Sequence, residues 1–160
     1  MRISLAVIGQ MKSGPERELV DRYLDRFSKV APSVGLDFRG VRETGESRAR
    51  DAPTRKREEA RNLIGTDADN ARILLFDERG KPLTSPEFAA LLARWRDEGA
   101  KTMLALIGGA DGLDETLRER ADRIVSFGAM TLPHQLARVL AAEQLYRAAT
   151  ILSGHPYHRE

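Results

Sequence analysis

The chain has no cysteine among its 160 residues. Disulfides, thiolate metal sites and cysteine nucleophiles are therefore excluded. Long apolar runs are also missing. The N-terminal stretch Met1-Arg2-Ile3-Ser4-Leu5-Ala6-Val7-Ile8-Gly9 is too short for a signal peptide or a membrane span, so no membrane partner is expected and the cytoplasm is the expected location. Neither charge sign dominates. Lys and Arg number 26 against 24 Asp and Glu, and the resulting +2 does not establish nucleic-acid binding. There is no G-x-G-x-x-G and no Walker A pattern, so neither a dinucleotide fingerprint nor a P-loop is present. No internal repeat or low-complexity tract divides the chain. One domain over residues 1–160 is expected, with 41% hydrophobic residues to build its core.

What is there alternates between two periods. Ile3 to Ile8 is an apolar run bounded by Gly9 and reads as a buried strand. Gly14-Pro15 opens a helix to about Val30, with Leu19, Val20, Tyr23, Leu24 and Phe27 at helical spacing. Leu36, Phe38 and Val41 alternate with polar residues and suggest a second strand. Arg72–Phe76, Thr102–Ile107 and Arg123–Ser126 supply three more, with a turn expected over Asp77–Pro82. Ser85 is the expected cap of a helix running to about Glu98, whose apolar face carries Phe88, Leu91, Leu92 and the sole tryptophan, Trp95. A short polar helix is expected from about Asp114 to Ala121. Strands alternating with helices predict an α/β fold, a mostly parallel five-stranded sheet between helices. Runs such as Ile73-Leu74-Leu75-Phe76 fit strands covered on both faces.

The last helix, expected to be capped by Thr131 with Pro133 in its first turn, has an unusual surface. Leu136, Leu140 and Ile151 line one side; Ala141, Leu145, Ala148, Ala149 and Leu152 line nearly the opposite one. A helix apolar on two sides is covered twice. One side is expected on the chain's own sheet. The other packs either within a monomer or on a second subunit, and the expectation is a homodimer.

Three strand ends precede loops rich in glycine or small residues: Phe76-Asp77, Ile107-Gly108-Gly109, and Ser126 through Gly128-Ala129-Met130-Thr131-Leu132-Pro133. Ligands of open α/β sheets bind at the carboxyl ends of strands. Gly108 and Gly109 would let a ligand lie against the backbone, and Met130 and Leu132 offer apolar walls. Simple turn chemistry is the plainer account of the same glycines. The segment Arg42–Arg61 is basic, with Arg42, Arg48, Arg50, Arg55, Lys56, Arg57 and Arg61 diluted by acids. Its first part reads as a mobile loop and Pro53–Ile64 as a helix. The segment is either a solvated face or a flap that contacts phosphates. His155 and His158 do not make a metal pair, because Pro156 lies between them and no cysteine supports them.

Three segments together carry a resemblance: Phe76-Asp77-Glu78-Arg79-Gly80-Lys81, the glycine loop from Leu106 to Leu113, and the C-terminal run from Met130 to Ala148 followed by Gly154-His155-Pro156-Tyr157-His158-Arg159-Glu160. In order and spacing the chain resembles the ribosomal RNA large subunit methyltransferase H family, a minimal branch of the SPOUT methyltransferases. The resemblance covers essentially the whole chain. It implies a SPOUT-type α/β fold with a C-terminal trefoil knot. It implies S-adenosylmethionine as methyl donor, with no metal, and N3 of a pseudouridine in 23S ribosomal RNA of the large subunit as acceptor. The cofactor positions it implies are Phe76, Gly109 and Gly128 to Pro133, with Asp77 and Gly108 as adjacent candidates. The tail is implied to carry the candidate catalytic residues Tyr157, His158 and Arg159, over a cofactor pocket that is its own or its partner's. Activity on tRNA or another rRNA base, or a non-catalytic ribosome-binding role, are the alternatives.

Overall fold

The computed structural model describes residues 1–65 and 70–158. The chain runs β1 (Arg2–Ile8), α1 (Pro15–Val30), a 3-10 turn (Ala31–Val34), β2 (Asp37–Thr44), α2 (Ala52–Ile64), β3 (Ala71–Pro82), α3 (Ser85–Asp97), β4 (Thr102–Ile107), α4 (Glu115–Arg120), β5 (Arg123–Ser126) and α5 (His134–Ser153). The strands form one five-stranded sheet in the order β2-β1-β4-β3-β5, and every paired neighbour is parallel. The expected α/β architecture is therefore present.

Side chains of a strand alternate between faces, and that alternation sorts the core into two layers. Ile3, Leu5 and Val7 of β1 enter one layer with Leu24 and Phe27 of α1, Leu92 and Trp95 of α3, and Leu145 of α5. Ala6 and Ile8 enter the other with Leu63 of α2 and Leu117 of α4. A parallel sheet covered on both faces explains why its strands read as unbroken apolar runs.

The final helix lies between α1 and α3. Ala141, Leu145 and Ala149 are completely buried there, and Ala148 is 1% exposed. The alanine side is thus the chain's own core. The Leu136–Leu140 side stays partly open, with Leu136 43% exposed. Thr131 does not cap this helix. Pro133 occupies the cap position in an extended conformation, and its carbonyl accepts the amide of Ala137 at 3.0 Å. A proline biases the residue before it away from helical angles, so the helix starts only after Pro133.

Two other boundaries differ from the sequence expectation. Thr84, not Ser85, caps α3. Its hydroxyl accepts the Glu87 amide at 3.3 Å, and the Glu87 carboxylate accepts the Thr84 amide at 2.8 Å. The Ser85 hydroxyl is free to donate to Gln144 Oε1 on α5 at 2.9 Å. The expected turn at Asp77–Pro82 is the second half of β3. It shifts register after Phe76 and pairs again with β5 at Lys81 and Pro82. Gly80 makes this possible. A Cβ there would lie 2.7 Å from the backbone of Ile124 and Val125, a contact no side chain tolerates.

Candidate functional site

The middle of β3 and the loops that follow β4 and β5 converge on a cavity of about 530 Å³. Every predicted cofactor residue faces it except Ala129: Phe76 and Asp77 from β3, Gly108 and Gly109 after β4, and Gly128, Met130, Thr131, Leu132 and Pro133 from the loop after β5. His134 and Ala137 of α5 and Lys56 of α2 also line it.

Local chemistry shapes each side. Phe76 and Phe127 stack, with centroids 4.9 Å apart and planes at 11°, and form an aromatic wall. The Ser126 hydroxyl donates to the Gly128 carbonyl at 2.7 Å and accepts the Gly128 amide at 3.0 Å, which closes the turn. Gly128 has φ +128°, a conformation that suits only glycine. Gly108 and Gly109 carry the loop without side chains, but for a different reason from the expected one. A Cβ on Gly109 would point inward and meet Ile8 and Glu59 at 3.0 Å, and one on Gly108 would meet Leu113 at 2.9 Å. These glycines let the loop settle onto the core and leave its backbone turned toward the cavity.

The charge in the site is largely fixed in pairs. Asp77 Oδ2 accepts from Arg118 Nη2 at 2.8 Å and Nε at 3.0 Å, while Oδ1 accepts the Arg79 amide at 2.8 Å. The Asp77 and Arg118 side chains are 5% and 11% exposed. Across the cavity, Asp111 is gripped by Arg55 at 2.6 and 3.3 Å. This contact holds the Asp111 carboxyl below its ordinary pKa and raises that of Arg55.

Two buried charges lie just behind the site. Arg138, only 2% exposed, donates to the carbonyls of Ile8 and Gly9 at the end of β1, the latter at 2.8 Å. Its partner Glu43, 3.3 Å away, also accepts from Arg17 and from the Met11 amide. Burial lowers the pKa of Arg138, and Glu43 opposes that shift. Glu59 of α2 is 4% exposed; its Oε1 accepts the Ser47 amide at 3.0 Å, and its Oε2 has no partner among the described residues. Burial raises its pKa. The sequence reading named neither Arg138 nor Arg118 as part of a site. Asp77 and Arg118 stand 41 residues apart, and no local pattern joins them.

As far as His158, the tail is packed against α5 rather than extended from it. Tyr157 folds back onto α5. Its hydroxyl donates to Glu143 Oε1 at 3.1 Å, its ring centroid lies 4.6 Å from that of Tyr146, and the Arg147 guanidinium sits 4.8 Å above it. Burial raises the Tyr157 pKa, and hydrogen bonds with Tyr23 and Glu143 add to the shift. Arg147 also pairs with Glu143, four residues before it on the helix, and approaches His158 Nδ1 at 3.4 Å. A guanidinium can only donate, so Nδ1 accepts and the ring proton lies on Nε2. Neither Tyr157 nor His158 lines the cavity of its own chain. Arg159 lies outside the described residues. His155 Nδ1 accepts the Tyr157 amide at 3.2 Å, so the two tail histidines serve separate contacts.

The basic segment divides between elements. Residues 42–44 complete β2, the expected helix is present as α2, and the irregular stretch between them is fastened to α2. Ser47 bonds Glu58 and Glu59, and Arg55 Nη1 bonds the carbonyls of Ala49 and Arg50. Arg42 caps the end of α2 through the carbonyls of Asn62 and Leu63. Arg42 and Arg55 are therefore structural ties. Arg48, Arg50 and Arg57 remain exposed.

The family model described as "Predicted SPOUT methyltransferase" matches residues 1–158. A ribosomal RNA large subunit methyltransferase H of Rhizobium etli is 58% identical over 159 residues, covering 99% of each chain. Its namesake in Brucella abortus is 54% identical over 168 residues, again covering 99% of each. Among solved structures, the chain resembles the TrmH/SpoU tRNA modifying enzyme of A. aeolicus at 14% identity and a TM-score of 0.43, over 99% of this chain and 81% of the other. The chain belongs to the SPOUT methyltransferases, in the ribosomal RNA large subunit methyltransferase H family.

Proposed function

We propose that the cavity binds S-adenosylmethionine and that the chain methylates N3 of a pseudouridine in 23S ribosomal RNA of the large subunit. The observation that carries this is the convergence of β3 at Phe76–Asp77 and of the loops after β4 and β5 on one cavity, in a chain of this family. The residues fit the cofactor's chemistry. The Phe76–Phe127 wall and Leu132 suit an adenine face, and the backbone of Gly108–Gly109 suits its polar edge. When bound, the cofactor supplies an electrophilic methyl group on a sulfonium, and the transfer requires no metal.

The remaining chemistry falls to the chain. The N3–H of pseudouridine is a weakly acidic imide. Its proton must pass to a base as the nitrogen takes up the methyl group, and negative charge grows on the flanking carbonyl oxygens. Arg159 is assigned to that charge and Tyr157 to stacking on or hydrogen-bonding the base. His158 is assigned to the proton, which requires it to leave Arg147 so that a ring lone pair is free.

These residues act in the partner's site of a cytoplasmic homodimer. Glu143, which holds Tyr157, stands nine residues beyond His134 at the cavity, roughly 14 Å along the helix. Tyr157 of one chain therefore sits well away from its own cavity. Met130, at the cavity, is 83% exposed, and Leu136, on the open side of α5, is 43% exposed; together they offer an apolar surface to a second copy. Arg48, Arg50 and Arg57 are placed to contact phosphates.

Nucleoside mass spectrometry tests this reading. Ribosomal RNA from a deletion strain should lack one methylated pseudouridine, and purified protein with S-adenosylmethionine should restore it. A methyl group missing instead from tRNA or another rRNA base would move the substrate. Failure to bind S-adenosylmethionine would leave a ribosome-binding factor.

A further inference from the structure

One side chain joins the two halves of the proposed reaction. Arg55 stands in the first turn of α2, after the Asp51 cap. Its Nε and Nη2 hold both oxygens of Asp111 at 2.6 and 3.3 Å. Its Nη1 donates to the carbonyls of Ala49 and Arg50 at 3.0 and 3.1 Å. The first partner belongs to the loop that lines the cavity. The second pair belongs to the strap that bears Arg48 and Arg50. Asp111 lies 56 residues beyond Arg55 in sequence, and the guanidinium fork bridges its loop directly to the strap.

Both segments are stiff where Arg55 meets them. The loop is closed by the Gly112 amide donating to the Gly109 carbonyl at 3.0 Å. The strap is held to α2 by Ser47, which bonds Glu58 and Glu59. Glu59 stands one turn beyond Arg55, and its unpartnered Oε2 lies beneath Gly109, 3.0 Å from where a Cβ would be. One face of α2 therefore touches the cavity loop at two points and the strap at two points. A shift of the strap cannot leave Asp111 where it is unless the Arg55 bonds break.

We propose that Arg55 is a positioning residue that couples RNA binding on the Arg48–Arg50 strap to the cofactor loop at Asp111, so that each ligand tightens the other. The proposal rests on the cofactor and RNA reading above. Phosphates drawn to Arg48 and Arg50 fix the strap. The fixed strap holds Arg55, and Arg55 holds the loop in its cofactor-binding form. The coupling is reciprocal by thermodynamic necessity.

Equilibrium dialysis with labelled S-adenosylhomocysteine tests it without turnover. Its affinity is measured alone and with saturating ribosomes from a strain lacking the methyltransferase. The expected wild-type ratio is at least about fivefold tighter with ribosomes, the lower end of ordinary coupling. Arg55→Ala and Asp111→Asn should bring that ratio close to one. Arg55→Lys should fail to restore it, because a single ammonium cannot span four acceptors. Thermal melting of each variant separates lost coupling from lost folding. Should Arg55→Ala fold poorly, Asp111→Asn alone decides, since it cuts the same bridge from the loop side. A wild-type ratio near one, or an unchanged ratio in folded Arg55→Ala or Asp111→Asn, overturns the coupling while leaving the enzyme reading intact. No wild-type binding of S-adenosylhomocysteine at all overturns the enzyme reading itself.

Discussion

Arg118 Nη2 lies 2.8 Å from Asp77 Oδ2, and this pair fixes the floor of the cavity where β3 changes register. Both groups are nearly buried, so neither tolerates loss of the other. Arg118→Ala should strand the carboxylate of Asp77 and destabilise the fold by about 3 kcal/mol, the usual cost of breaking a buried pair. Denaturant unfolding measures this. The same variant should weaken S-adenosylmethionine, because the Asp77 turn is no longer held. A loss under about 0.5 kcal/mol would place the pair among the weak surface bridges.

A pH dependence follows from Glu59. Burial raises its folded pKa above the unfolded value. Between those two values the folded state binds more protons than the unfolded chain, so stability falls as pH rises through that window. Glu59→Gln removes the titration. The melting temperature of the wild type should drop relative to Glu59→Gln as pH rises from about 4.5 toward neutrality, starting from the ordinary carboxylate value. Parallel curves over that range would show that folding does not raise the pKa of Glu59.

Much of the fold was legible because buried parallel strands write themselves as apolar runs. Ile3–Ile8 and Thr102–Ile107 lie inside or at the bounds of real strands. The cavity was legible for a related reason: Gly108, Gly109 and Gly128 follow strand ends, where ligands of such sheets bind. What escaped depends on contacts between distant segments. Nothing near Gly80 announces that β5 will pass 2.7 Å from its missing Cβ. Arg138 looks like an ordinary helix-surface arginine, yet it is buried against the end of β1. The Thr84 cap was readable from Thr-x-x-Glu and lost to the neighbouring Ser85-Pro86.

The two faces of α5 separate assembly from folding. Leu145 is completely buried, so Leu145→Glu should unfold the chain rather than split a dimer. Leu136→Glu lies on the half-open side and should leave the melting temperature of the subunit nearly unchanged. It should convert the proposed dimer to monomer in sedimentation at micromolar concentration. A dimer that survives Leu136→Glu places the interface elsewhere, and a wild-type monomer removes it.

The tail is tested by deletion. Removing residues 157–160 should leave S-adenosylmethionine affinity within about twofold, because Tyr157 and His158 do not line the cavity of their own chain. Methylation of ribosomes should fall at least about a hundredfold, the scale of one lost general base or charge-stabilising group. Inactive Arg159→Ala beside active His158→Ala would keep the electrostatic role and discard His158 as base. Near-normal turnover of the truncated protein would leave Tyr157 only a stabiliser of α5.

The most direct test of the whole account is in vitro methylation of ribosomes from the deletion strain, with purified protein and S-adenosylmethionine labelled in its methyl group. Digestion and mass spectrometry of the 23S RNA should find the label in one nucleoside, pseudouridine carrying the methyl group on N3. Label on any other nucleoside, or none on the large-subunit RNA, contradicts the account.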